Sequence, residues 1–237
     1  AINNKYLNEK TGIYGSGLQT ELSVALYWGI VPDSLKSKVA ENLANRVIQD
    51  NKHIDVGLLG TKAILNALSE NGFAELAYEV ALQETYPSWG WWIKNGATTL
   101  YENWDIESDR DLSMNHIMFG EIGAWFYKGL GGIFPDPENP GFKNVILKPN
   151  FIPSLEHFEA SHDSPYGKII SKWERNSNGL IYTVSIPPNS AATLFLKTDK
   201  ISISKEISKI KGAKVGGILN NYTKINLESG NYTFNIQ

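Results

Sequence analysis

The feature that most constrains the fold is a change of hydrophobic period near residue 135. Before it, apolar residues recur every three or four positions, the spacing of one helix face; after it, they alternate with polar residues, the spacing of a half-buried strand. Leu22, Leu26 and Ile30, with Ala25 beside them, predict a helix over Gln19 to Ile30. Leu35, Val39, Leu43 and Val47 recur every four residues, with Lys36, Lys38, Glu41, Asn42 and Arg46 on the other faces. That pattern predicts an amphipathic helix of an outer layer. Thr61 to Leu68 reads as a short apolar helix stopped by Asn71-Gly72, because glycine tolerates a left-handed C-terminal position. Phe73, Leu76, Ala77 and Val80 begin another. Ser113 is a candidate cap for a helix over Met114 to Leu130, ended by Gly129, Gly131 and Gly132. With one more helix at the extreme N-terminus, about six are expected.

Pro135 to Pro140 reads as a linker between the two regimes. Beyond it, Leu180, Tyr182, Val184 and Ile186 mark a strand. Lys168 to Glu174 is its partner through an Asn178-Gly179 turn, a strong hairpin signal. Ala192 to Leu196, Lys200 to Ser204 and Tyr232 to Ile236 predict further strands. The expected fold is therefore α + β and multidomain. Residues 1–134 form about half of an (α/α)6 barrel, and residues 135–237 an antiparallel β-sandwich. An open half-ring leaves apolar flanks bare, so a missing N-terminal half of the barrel is an expected partner. The start at Ala1 rather than Met is read as a truncation or processing point.

The balance of charge narrows the function. A net charge of −3 and a pI near 5.9 give no basic footprint for nucleic acid or an anionic membrane. No apolar run reaches the roughly 20 residues of a membrane helix. Without cysteine there is no disulfide framework, thiolate nucleophile or thiolate metal site, and the compartment stays open among periplasmic, extracellular and cytoplasmic. No glycine-rich phosphate loop and no histidine pair at zinc spacing is present, so neither cofactor nor metal is expected. The acidic run Asp105, Glu107, Asp109, Asp111 lacks the glycine and closing Glu of a calcium loop and reads as a solvated loop.

What remains is an aromatic concentration. Trp89, Trp91, Trp92 and Trp104 stand within sixteen residues. Stacked rings suit the apolar face of a sugar, and the alternative is a large aromatic core corner. In the same stretch Glu102 lies between Tyr101 and Trp104, just after the small-residue turn Gly96-Ala97-Thr98-Thr99. A carboxylate among aromatic walls is the setting in which glycosidases place their acid and base. The competing reading is a Glu that caps a following helix or pairs with Arg110.

The ordered blocks Gln19-Thr20, Val56-Gly57-Leu58-Leu59-Gly60-Thr61, Tyr86-Pro87-Ser88-Trp89-Gly90, Gly96-Ala97-Thr98-Thr99, Glu102 to Asp105, Ser113-Met114-Asn115-His116 and Gly132-Ile133 resemble the C-terminal half of glycoside hydrolase family 78, the α-L-rhamnosidases. The resemblance continues through Pro140-Gly141-Phe142-Lys143, Tyr166-Gly167 and Ile186 to Ala191, and runs over about residues 1 to 196. It implies an (α/α)6 barrel, a C-terminal jelly-roll sandwich, and hydrolysis of terminal α-L-rhamnosides with inversion. It implies Glu102 as general base and His116 as a residue lining the sugar pocket, with Trp104, Trp89, Tyr101 and Asp105 as further candidate substrate contacts. Two departures stand out. The family often has Trp-Glu-Arg-Trp where this chain has Tyr101-Glu102-Asn103-Trp104, which changes how the loop is braced. Nothing here matches the upstream region that carries the family's general acid, so the chain by itself is expected to be inactive or incomplete. The expected substrate is a rhamnose-containing carbohydrate. The alternatives are a catalytically incomplete carbohydrate-binding or interaction module, and a barrel glycosidase for another neutral sugar.

Overall fold

In a computed structural model, residues 1–110, 113–177, 179–197, 207, 209–219 and 221–236 are described. The chain combines helices with sheets, the mixed class expected from the two hydrophobic periods. It divides into two compact units, Ala1–Trp125 and a second that begins at Phe126.

The first unit is helical. α1 (Ile2–Tyr6) leads into a small hairpin, β1 (Leu7–Asn8) with β2 (Ile13–Tyr14), that the sequence did not foreshadow. The Tyr14 hydroxyl donates to Asn3 Oδ1 at 2.8 Å and ties the hairpin to α1. α2 (Gln19–Tyr27), α3 (Lys36–Gln49), α4 (Leu58–Glu70) and α5 (Ala74–Ala81) follow. In α3, Val39, Ala40, Leu43, Ala44 and Val47 are buried in one stripe, as the four-residue spacing predicts for an outer helix. In α4 an unbroken run from Ala63 to Ser69 is buried, so this helix is enclosed on nearly all sides. It packs against α2 and α5. Its Gly60 permits the approach to α2, since a Cβ there would lie 2.5 Å from Thr20 Oγ1. Gln19 is completely buried at the start of α2 and fully used. Its amide donates to Asp50 and to the His53 carbonyl and accepts from the Asp55 N–H, which locks α2 to the turn after α3.

One helix was not predicted and one reading is corrected. α6 (Trp89–Lys94) lies in a stretch to which no element was assigned; the Ser88 hydroxyl accepts the Trp91 N–H at 2.9 Å and caps it. Met114 to Leu130 is not one helix. Residues 113–116 are non-helical, a 3-10 turn spans Ile117–Phe119, α7 covers Glu121–Trp125, and a π turn covers Phe126–Leu130. The apolar pattern there is continuous, but the His116 N–H bonds to the Leu100 carbonyl instead of entering a helix.

The second unit holds β3 (Ile133–Pro135), β4 (Asn144–Leu147), β5 (His157–Ser164), β6 (Gly167–Asn176), β7 (Gly179–Ile186), β8 (Ala191–Lys197), β9 (Ala213–Leu219), β10 (Tyr222–Leu227) and β11 (Gly230–Ile236). They form a five-stranded sheet, β3-β4-β8-β10-β9, and a four-stranded sheet, β11-β7-β6-β5. Pairing is antiparallel except between β4 and β8, which run parallel. Burial alternates as read, with Leu180, Tyr182, Val184 and Ile186 inward on β7. The Tyr182 hydroxyl shares a buried bond with Ser171, whose hydroxyl also reaches the Gly131 carbonyl at 2.6 Å. Burial pushes the Tyr182 phenol far up from its ordinary value. The segment read as a linker is ordered structure. Pro135 ends β3, and the Asp136 carboxylate gathers Asn144, Asn139 and the Glu138 N–H into the turn before β4. Those donors, Asn144 first, hold the Asp136 carboxyl below its usual range. The predicted strand over Lys200 to Ser204 and the turn residue Asn178 lie outside the described residues.

Candidate active site

Glu102 and His116 are fourteen positions apart and face each other across two backbone rungs. The Glu102 N–H donates to the Ser113 carbonyl, and the His116 N–H donates to the Leu100 carbonyl, each at 2.9 Å. The Thr99 hydroxyl adds a bond to the Met114 carbonyl. These rungs place His116 Nδ1 3.2 Å from Glu102 Oε1. Both side chains are partly open, at 26% for Glu102 and 38% for His116. The carboxylate therefore meets solvent on one side and an imidazole on the other. Its neighbour is this histidine rather than Arg110, and among the described residues it caps no helix.

Beneath this hairpin-like loop lies the aromatic cluster. Trp92 stacks on Trp104 at 4.6 Å and 22°, and Trp89 meets Trp104 edge-on at 5.2 Å. Phe119 closes the group 4.2 Å from Trp104. Each indole N–H goes to a backbone carbonyl: Trp89 to Phe119, Trp92 to Trp104, and Trp104 to Val56. Trp89 and Trp104 are only 5% and 9% exposed. Their rings are thus spent on one another, which is the core-corner alternative. Tyr101 is half-buried and its ring lies 5.6 Å from that of Trp92. Trp91 points elsewhere, half-buried and edge-on to the exposed Tyr86 at 6.3 Å.

Asp105 is exposed and serves the loop backbone: its N–H donates to Asn103 Oδ1, and its carboxylate accepts the Glu107 N–H. Asn103 also donates to the Ser108 hydroxyl at 3.0 Å. Asn103 therefore supplies the bracing that the absent arginine left in question. Spacing alone missed the bracing role of Asn103, the place of Phe119 in the cluster and the two rungs. A small turn followed by an Asn-x-Asp pair was the available signal, since both residue types bond their own backbone two positions on. Among the described residues no group of three or more acidic or histidine side chains is arranged to hold a metal ion.

Comparison with known proteins defines the class and then the family. Residues 1–130 match the bacterial alpha-L-rhamnosidase 6 hairpin glycosidase domain, and residues 132–211 match the bacterial alpha-L-rhamnosidase C-terminal domain. A protein named alpha-L-rhamnosidase from Alteromonas sp. (strain LOR) is 34% identical over 218 residues, covering 86% of this chain and 23% of that protein. One of the same name from Streptomyces avermitilis is 31% identical over 188 residues, covering 76% of this chain and 18% of its own length. The crystal structure of Streptomyces avermitilis alpha-L-rhamnosidase complexed with L-rhamnose superposes with a TM-score of 0.84 at 25% identity, over 99% of this chain and 23% of that one. The structure of alpha-L-rhamnosidase from Dictyoglumus thermophilum gives 0.81 at 30% identity, over 99% and 27%. The class is that of the glycoside hydrolases. Within it, the chain belongs to the bacterial α-L-rhamnosidase family, and it spans about a fifth to a quarter of the length of these relatives.

Proposed function

We propose that this chain is the C-terminal portion of an inverting α-L-rhamnosidase, and that Glu102 is its general base. In this reading residues 1–134 supply about half of an (α/α)6 barrel, completed by helices N-terminal to Ala1, and residues 135–237 form the β-sandwich that follows it. The observation that carries the assignment is the Glu102 carboxylate, held by backbone rungs 3.2 Å from an imidazole and backed by a packed aromatic floor. A base must be reachable by water and fixed in direction. Partial exposure supports the first condition and the rungs support the second.

The step follows from that geometry. Glu102 takes a proton from a water molecule as its oxygen attacks the anomeric carbon on the face away from the leaving group. The glycosidic C–O bond breaks, and its oxygen receives a proton from a carboxylic acid on the opposite side. In inverting enzymes the two carboxyl groups stand roughly 6.5–9.5 Å apart to admit the water. The acid belongs to the part of the barrel outside this chain. His116 contacts the bound sugar; Tyr101 forms the wall beside it; Trp104 and Trp89 act from behind, as the floor; Asp105 shapes the rim.

The test is release of chromophore from an aryl α-L-rhamnoside by the longer, barrel-completed protein and by its Glu102→Gln variant, beside this chain alone. Loss of about 10²- to 10⁴-fold in kcat in the variant is expected, the usual weight of a general base. Full turnover by Glu102→Gln would remove Glu102 from the mechanism. Turnover by residues 1–237 alone would show that the acid lies within them.

A further inference from the structure

The loop that follows the base carries one more assignment, which rests on the reading just given. We infer that Asn103 and Ser108 are positioning residues for Glu102, acting together through the bond between them. The loop closes on itself, and its neck is the 2.9 Å bond from the Glu102 N–H to the Ser113 carbonyl. Inside the neck the Asn103 side chain uses both of its ends. Its Oδ1 accepts the Asp105 N–H at 2.9 Å, and its Nδ2 donates to the Ser108 hydroxyl at 3.0 Å. Ser108 passes the link on. Its hydroxyl donates to the Arg110 carbonyl at 2.7 Å and accepts the Arg110 N–H at 3.2 Å. One bond donated and two accepted is the full capacity of a hydroxyl, so Ser108 is fixed in orientation. Asn103 directly follows the base, and Arg110 lies on the returning side of the loop, toward Ser113. The link therefore joins the two sides of the neck that sets the Glu102 backbone. Trp104 is anchored separately, by the Trp92 indole to its carbonyl and by its own indole to the Val56 carbonyl. A reacting group displaced by about 1 Å loses its line on the attacking water, and that gives so small a link its weight in catalysis.

The test is kinetic, in the barrel-completed protein with an aryl α-L-rhamnoside. Ser108→Ala is expected to lower kcat about ten- to a hundredfold with KM little changed, the mark of a misplaced reacting group. Asn103→Ala is expected to do the same. The double variant should be no worse than Asn103→Ala, since both changes break one link. Ser108→Thr keeps the hydroxyl and should restore most of kcat. Full kcat in Ser108→Ala, a loss that falls on KM alone, or losses that multiply in the double variant each overturn the inference. Amide hydrogen exchange in residues 1–237 gives a reading that needs no turnover. The Glu102 N–H is expected to exchange faster in Ser108→Ala while the N–H groups of α4 keep their rates. Unchanged exchange at Glu102 overturns the link. Full kcat in the Glu102→Gln control instead overturns the base assignment on which the inference rests, and leaves the exchange result standing.

Discussion

The two units solve the burial problem differently. In the second, alternation turns apolar side chains to one face of each sheet, and Tyr166, Ile218 and Leu219 are among the few large apolar side chains left exposed on its strands and turns. In the first, Ile2, Tyr6, Leu18, Trp28, Leu58 and Leu59 are all exposed, although the unit has a dense interior around α4. Alternation gives a strand one apolar face, whereas an enclosed helix such as α4 needs neighbours on several sides. On the proposed reading, further helices of the barrel would cover the exposed apolar residues of the first unit.

The sharpest way to test that contrast is to open the floor. Trp92→Ala removes the central ring of the stack and strands the Trp104 carbonyl; a loss of about 3–5 kcal/mol is expected from cavity formation. Chemical denaturation followed by far-ultraviolet dichroism should show the helical transition moving while the sheet transition stays. Joint movement of both would mean that the units do not unfold separately. Gly90→Ala attacks the same floor from its helix: the new Cβ would stand 2.3 Å from the Gln83 backbone carbonyl, and overpacking of about 1–3 kcal/mol is expected in the same measurement. An unchanged midpoint would show that residues 83–84 can give way.

In the sheet unit, Tyr182→Phe deletes one hydroxyl but leaves Ser171 bonded to Gly131. The expected cost is about 1 kcal/mol, seen only in the sheet transition. The smallest effect concerns acid. Asp136 has a carboxyl held below its ordinary value by Asn144 and Asn139, so its contribution is present above the ordinary carboxylate range and fades as pH falls through the lowered value. A series of melts from neutral to acid pH should therefore show the unaltered chain losing sheet stability on acidification faster than Asp136→Asn. Parallel curves would assign the acid response to other groups.

How much of this could be read from residues is uneven for physical reasons. The stripe on α3 and the alternation on β7 were legible, because a single period decides which face is buried. The 114–130 segment was not: its apolar run fits a helix as well as the observed turns, and the deciding bonds come from Leu100 and Glu102, distant in sequence. α6 was hidden by aromatic residues that favour no helix, although Ser88 was a usable cap signal. Glu102 stood out by its aromatic neighbours, but its closeness to His116 was not legible: spacing gave no sign of it, and the resemblance implied His116 only as lining the sugar pocket. The tryptophans were visible as a cluster, but only coordinates show that Trp89 and Trp104 face rings rather than solvent.

The stack has an optical consequence. Trp92 and Trp104 lie nearly parallel at 4.6 Å, with Trp89 perpendicular to Trp104 at 5.2 Å. Indole transitions so close exchange excitation, which gives a paired positive and negative band in circular dichroism and quenches emission within the group. The first unit therefore carries its own spectroscopic label beside the Glu102 loop. Any ligand or variant that tilts one ring should alter that band pair.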